Sequence, residues 1–132
     1  MFGLFNRKSK PQKRVDVHPS KSTVKLMWDY GCWPVWKYDG EIFDNVSPES
    51  LPLCPATRDR LARWAAVPDS KYERHKDCPQ DMVWTDEETQ MFEAEGRELW
   101  SILQRELGAG FYVVYHSTTA RRVLSPENED MV

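Results

Sequence analysis

Long apolar runs are missing from this chain. Nowhere in its 132 residues does it reach the roughly 18 to 20 consecutive apolar residues of a membrane-spanning helix. The opening MFGLF is too short for a signal-peptide core, and its positive charges follow it instead of preceding it. A cytoplasmic protein is the expectation. Cysteine is scarce: Cys32, Cys54 and Cys78 are an odd number at wide spacing, which makes a poor disulfide framework and suits a reducing compartment. Phosphate loops, dinucleotide fingerprints and serine elbows are absent. Gly108-Ala109-Gly110 comes after an expected helix and before an expected strand, the reverse of a phosphate cradle. Metal-ligand doublets are also lacking. His75 and Cys78 in HKDC stand alone, while Cys32, Cys54, His18 and His116 are singletons at mismatched distances. No metal, cofactor or catalytic residue is expected, and the chain does not read as an enzyme.

What is present is aromatic and acidic. A chain of this length is one domain's worth, able to bury roughly two thirds of its unfolded surface. Its net charge of −3 is unevenly laid out. Residues 1–22 carry six basic side chains against Asp16, a balance of +5, which leaves −8 for residues 23–132. The first segment reads as a flexible basic tail. Its apolar tip and its RKSKPQKR run allow a weaker reading, a tail touching an anionic membrane or nucleic acid. The remainder reads as one acidic α/β domain, with an acidic frayed end over 124–132. Such a domain disfavours nucleic-acid phosphates and attracts a basic partner.

Elements follow from periodicity. In TVKLMWDY, Val24, Leu26, Trp28 and Tyr30 alternate with polar neighbours, which predicts a strand over 23–30 with Trp28 in the core. VWKY and EIFDNV flank Asp39-Gly40, a dipeptide suited to a hairpin turn. A helix is expected from Pro55 to Val67, inward through Leu61, Trp64 and Ala65, and closed by Pro68. Residues 68–83 read as a connection. Thr85 and Glu88 form a capping box ahead of a second helix, whose stripe is Phe92, Gly96, Leu99, Leu103 and Leu107, widened by Trp100. Gly108 or Gly110 ends it, and FYVVYHS is a buried strand. The sum is a two-layer α/β (α+β) sandwich, a sheet of about three or four strands with two helices on one face.

Five aromatic rings fall within residues 28–38. Trp33 and Trp36 flank Pro34 outside the alternation and sit among acids. A partner-binding surface of Asp29, Trp33, Trp36, Tyr38, Asp39, Glu41 and Asp44 is therefore expected, suited to a partner apolar at its centre and basic at its edge. The competing reading is a pocket near Cys32 and His116 at the ends of neighbouring strands, serving a small enzyme or ligand-binding domain.

The stretches KLMWDYGCWPVW, SPESLPLCPATRDRLARWA and FEAEGRELWSILQRELGAGFYVVY resemble a set of small bacterial proteins with a WDYGCWPLW-like opening, an LPLS-like lead-in to a helix and an EGREL-type second helix. The resemblance covers roughly residues 24–116. Proteins of this look are similar in size and charge to the immunity proteins encoded beside polymorphic bacterial toxins. That resemblance implies a stoichiometric inhibitor of a cognate toxin, such as a nuclease with a basic cleft. Cys54 stands where serine is expected ahead of the first helix, a change that would weaken its cap.

Overall fold

The computed structural model describes residues 17–128. Strand β1 (Ser22–Leu26) leads to a hairpin of β2 (Val35–Tyr38) and β3 (Phe43–Val46). Helices α1 (Pro55–His75) and α2 (Asp86–Leu107) follow, then β4 (Phe111–Ser117) and β5 (Arg122–Leu124). The sheet order is β3-β2-β1-β4-β5, with β1 and β4 parallel and the other pairs antiparallel. This is the expected α+β sandwich with five strands instead of three or four, because Arg122–Leu124, just ahead of the acidic end, adds one. Leu124 and Ser125 are buried, so the frayed end expected over 124–132 does not include these two residues; residues 129–132 and most of the basic tail lie outside the described residues.

Registry assigns the two faces of the sheet. Val24, Leu26, Val35, Val113, Tyr115 and Leu124 point to one side and join Leu61, Trp64, Phe92, Leu99, Trp100, Leu103 and Leu107 in one core. Both helices therefore cover the same face. Helix α2 packs directly on β4. Because β5 pairs only with Tyr115–Ser117, the edge of β4 over 111–113 needs other partners. Trp100 Nε1 donates to the Val113 carbonyl (2.8 Å), while Gln104 donates to the Phe111 carbonyl (2.9 Å) and accepts from Val113 N (3.0 Å).

Two expectations fail locally. The first helix does not stop at Pro68; the proline lies buried inside α1, which runs on to His75. Its missing N–H and its ring disturb the turn behind it, a cost of about 3 kcal/mol in an isolated helix. Contacts made by the last two turns offset this: Trp28 Nε1 donates to Asp69 (2.9 Å), Trp28 stacks on Tyr72, and Lys71 Nζ donates to the Val83 carbonyl (2.7 Å). Residues 68–75 are thus helix, not connection. The first strand, conversely, ends at Leu26. Trp28 is half-buried at the rim of the core, and Tyr30 is 46% exposed in the turn closed by Cys32 N to the Asp29 carbonyl.

Helix ends follow the sequence where chemistry is local. Thr85 and Glu88 make the reciprocal capping box, and Gly108 ends α2 at φ 86°. At the start of α1, Cys54 makes no side-chain cap bond to its own helix. Glu106 of α2 ties this end down instead, accepting from Cys54 N (3.0 Å), Cys54 Sγ (3.2 Å) and Thr57 Oγ1 (2.6 Å). Burial alone would raise the Glu106 carboxyl; the bonds from Thr57 and Cys54 outweigh it and hold it below the ordinary carboxylate value. The weak cap read from the cysteine is compensated across the helix pair.

Candidate functional site

The β2–β3 hairpin is built by its turn. Asp39 accepts from the N–H groups of Glu41 (2.9 Å) and Ile42 (3.0 Å), and Gly40 takes φ 110°. Those two backbone bonds, from Ile42 first, hold the Asp39 carboxyl below its ordinary value. Pairing then sets the faces: Trp36 lies opposite Lys25 and Asn45, and Tyr38 opposite Phe43, all on the side away from the helices. Lys25 Nζ sits 4.4 Å over the Phe43 ring, and Tyr38 meets Phe43 at 5.3 Å.

Asn45 is a residue that sequence reasoning missed. It accepts from Trp33 N (3.0 Å) and donates to the carbonyls of Trp33 (2.7 Å) and Val35 (3.1 Å). These bonds fasten the loop before β2 and leave the Trp33 ring 51% exposed. An asparagine in a strand gives no sign of partners ten and twelve residues away. Trp36 differs: it is half-buried, and its Nε1 donates to the Met27 carbonyl (3.0 Å), tying β2 to the end of β1.

Six of the seven expected residues, Trp33, Trp36, Tyr38, Asp39, Glu41 and Asp44, therefore gather on the hairpin and the loop that feeds it. Asp29 stands apart, in the turn that leans on α1 through the bonds of Trp28 and Gly31 to Asp69. Asp29, Asp39, Glu41 and Asp44 are all exposed, and none is in an ion pair among the described residues. Lys37 lies opposite Asp44 in register without pairing to it. Asp44 and Lys37, in register with core-facing Val24, point to the helix side, so the open face of Trp36 and Tyr38 has acidic neighbours at the turn, Asp39 and Glu41.

The interior holds a second polar cluster. Glu93 of α2 is 7% exposed and accepts from Tyr115 Oη (3.0 Å), Ser117 Oγ (2.6 Å), Thr118 N (3.0 Å), Thr119 N (3.4 Å) and Arg97 Nε (2.9 Å). Burial alone would raise its carboxyl; the bonds from Ser117, Arg97 and Tyr115 outweigh that and lower it. Burial, and then the Glu93 charge, push the Tyr115 phenol well above its ordinary value. Both oxygens of this carboxylate are engaged by protein donors. It is an anchor between α2 and the turn after β4.

This cluster explains the EGREL stretch. A Cβ at Gly96 would overlap the Tyr115 hydroxyl and come within 3.0 Å of Trp64. Arg97 pairs with Glu93, and Glu95 and Glu98 both hold Arg60 of α1, at 2.8 and 3.1 Å. The motif is a helix-packing device.

Cys32 and His116, paired in the competing reading, share no hydrogen bond and line neither of the two grooves that flank the helices. Burial, and then the nearby Lys25 charge, lower the His116 imidazole on the open face of the sheet. Among the described residues no three of His, Cys, Asp and Glu gather as metal ligands, and no helix is long and apolar enough to cross a membrane.

Two grooves flank the helices. One, of about 530 Å3, runs between α1 and α2 over Trp64 and Phe92, rimmed by Arg60, Glu95 and Glu98. The other, of about 560 Å3, lies beyond the carboxyl ends of β1 and β4 and is walled by Trp28, Tyr72, Trp84 and Phe92.

Compared with known protein families, residues 22–118 match the family described as Serratia CdiI immunity protein-like. No curated protein matches the sequence. The matched span starts with β1 and closes just after β4, taking in the hairpin, both helices and the Glu93 anchor.

Proposed function

The chain belongs to the Serratia CdiI immunity protein-like family, and on that premise we propose that it is a non-catalytic, cytoplasmic immunity protein that binds and neutralises a cognate toxin of contact-dependent inhibition. The hairpin is the surface that supports this reading best. An exposed tryptophan fastened by Asn45 at one end of the hairpin, with Tyr38 and the exposed carboxylates Asp39 and Glu41 at the other, has the make-up of an interface anchor with acids at its edge. The partner that fits it is a toxin domain with a basic active-site cleft, such as a nuclease. Neutralisation then needs no reaction. The acidic surface occupies the path of an anionic substrate, and charge steering speeds capture.

Co-expression with the toxin domain encoded beside this gene tests the reading. The wild-type chain rescues growth and co-purifies with that domain, with an association rate that falls as salt is raised. Trp33→Ala weakens binding by about 2 kcal/mol or more while changing stability by less than about 0.5 kcal/mol, as expected of an exposed anchor. Trp36→Ala lowers stability as well, because it removes the bond to Met27. If growth is not rescued and no complex forms, the immunity reading is wrong. If only Trp36→Ala has an effect, the hairpin is fold and not interface.

A further inference from the structure

The groove beyond β1 and β4 joins aromatic residues that also pack the fold, Trp28, Tyr72 and Phe92, to a cationic end that the packing does not use. Trp28, Tyr72, Trp84 and Phe92 form its apolar walls, and Thr118, Thr119 and Arg121, from the turn after β4, close one end. Its volume of about 560 Å3 falls within the range of sites that bury a compact guest. Tyr30 and Tyr72, 46% and 41% exposed with rings 5.4 Å apart, continue the aromatic surface outward towards Asp29.

The groove's hydroxyls, on Tyr72, Thr89, Thr118 and Thr119, can donate or accept, whereas its indole and guanidinium N–H groups only donate. Trp28 Nε1 is taken by Asp69, whereas the Trp84 indole N–H and the Arg121 guanidinium have no protein acceptor among the described residues. Arg121 carries an exposed side chain on a backbone fixed by its turn. It sits at φ 60°, its N–H donates to the Ser117 carbonyl (2.9 Å), and Glu93 grips the same turn through Thr118 N and Thr119 N. The Lys71 ammonium, 5.0 Å from the Trp84 ring, is paired with Glu88 at 3.3 Å, so Arg121 at the end of the groove is the charge that disfavours a cationic guest.

We infer that this groove receives one anchor of the bound toxin, a large apolar side chain next to a carboxylate. The ring or aliphatic chain fills the aromatic walls, and the carboxylate meets Arg121 and the Trp84 N–H. The toxin as source rests on the immunity reading above; the chemistry of the anchor rests on the groove. With the hairpin, the inhibitor then holds its partner at two places of opposite preference. The acidic hairpin faces basic surface, and the groove takes an acidic-tipped anchor.

Two probes test this on the full-length protein. Acetyl-phenylalanyl-aspartyl amide, titrated to millimolar concentration, shifts the indole N–H signals of Trp28 and Trp84 more than those of Trp33 and Trp36. Arg121→Asn, which suits positive φ better than arginine and so leaves the fold intact, weakens that binding about tenfold, the loss of one charge-assisted hydrogen bond. Arg121→Lys retains most of it, and the same peptide with lysine in place of aspartate does not bind. With the toxin domain itself, Tyr72→Ala and Arg121→Asn each raise the dissociation constant about tenfold or more. If the lysine peptide binds better, if the shifts lie elsewhere, or if the toxin binds both variants as it binds wild type, the groove inference is overturned while the immunity reading stands. If the toxin binds no form of the protein, the immunity reading falls, and with it the toxin as source of the anchor.

Discussion

Replacing Glu93 with glutamine changes one atom in the interior and should cost about 3 kcal/mol. The magnitude follows from which donors meet which oxygen. Oε1 accepts from Tyr115 Oη, Thr118 N and Thr119 N, while Oε2 accepts from Arg97 Nε and Ser117 Oγ. Hydroxyls can rotate to accept, but a backbone N–H or a guanidinium N–H cannot. Whichever way the new amide turns, its NH2 therefore confronts at least one fixed donor. The loss is a charge-assisted bond, about 1.5–3 kcal/mol, together with a donor left unsatisfied in a buried site, about 1–3 kcal/mol. Partial relaxation of the turn after β4 brings the sum to about 3 kcal/mol. In a domain of this size that lowers the melting temperature by roughly 10 °C.

The same cluster sets a pH dependence. The folded Glu93 carboxyl titrates below the ordinary value of 4.5, so its contribution is fully present above that value and is lost as pH falls through the folded value. The stability gap between wild type and Glu93→Gln, read by urea denaturation at a series of pH values, is therefore constant near neutrality and narrows below about pH 4.5. Two results would refute the reasoning: a gap under about 1 kcal/mol at neutral pH, or one that stays constant down to about pH 3. Either would mean that the donors around Glu93 are satisfied by something else.

Gly96→Ala should destabilise by about 1–2 kcal/mol by thermal denaturation, since overpacking against Tyr115 and Trp64 outweighs the about 1 kcal/mol gained in helix propensity; a stabilised variant would show that α2 can move away from β4 at little cost. Glu106→Ala should cost about 1–2 kcal/mol by uncapping α1 from across the helix pair, whereas Cys54→Ser should change stability by less than about 1 kcal/mol, because a hydroxyl donates to Glu106 at least as well as the thiol; a large gain for the serine variant would show that Glu106 does not compensate for the cysteine.

The sequence by itself determined whatever rests on neighbours in the chain. The capping box at Thr85, the stripe from Phe92 to Leu107, the glycine end of α2, the turn at Asp39-Gly40 and the strand after Gly110 all stand where periodicity and turn chemistry place them. It also carried the family likeness, because LPLC and EGREL are packing motifs with fixed local spacing. Long-range contacts decided the rest. Pro68 stays within a helix because Asp69, Lys71 and Tyr72 find partners at Trp28 and Val83, and the first strand stops at Leu26, short of the aromatic run, with Tyr30 turned out towards Tyr72. Trp33 and Trp36, equivalent in the sequence, became an exposed ring and a half-buried tie through bonds to Asn45 and Met27. The groove at Arg121 exists only because β1 and β4 run parallel and bring residues 28 and 121 to one end of the sheet. A chain can write the period of its own helix or strand into adjacent positions, but the partner of a side chain forty residues away is fixed only when the layers close.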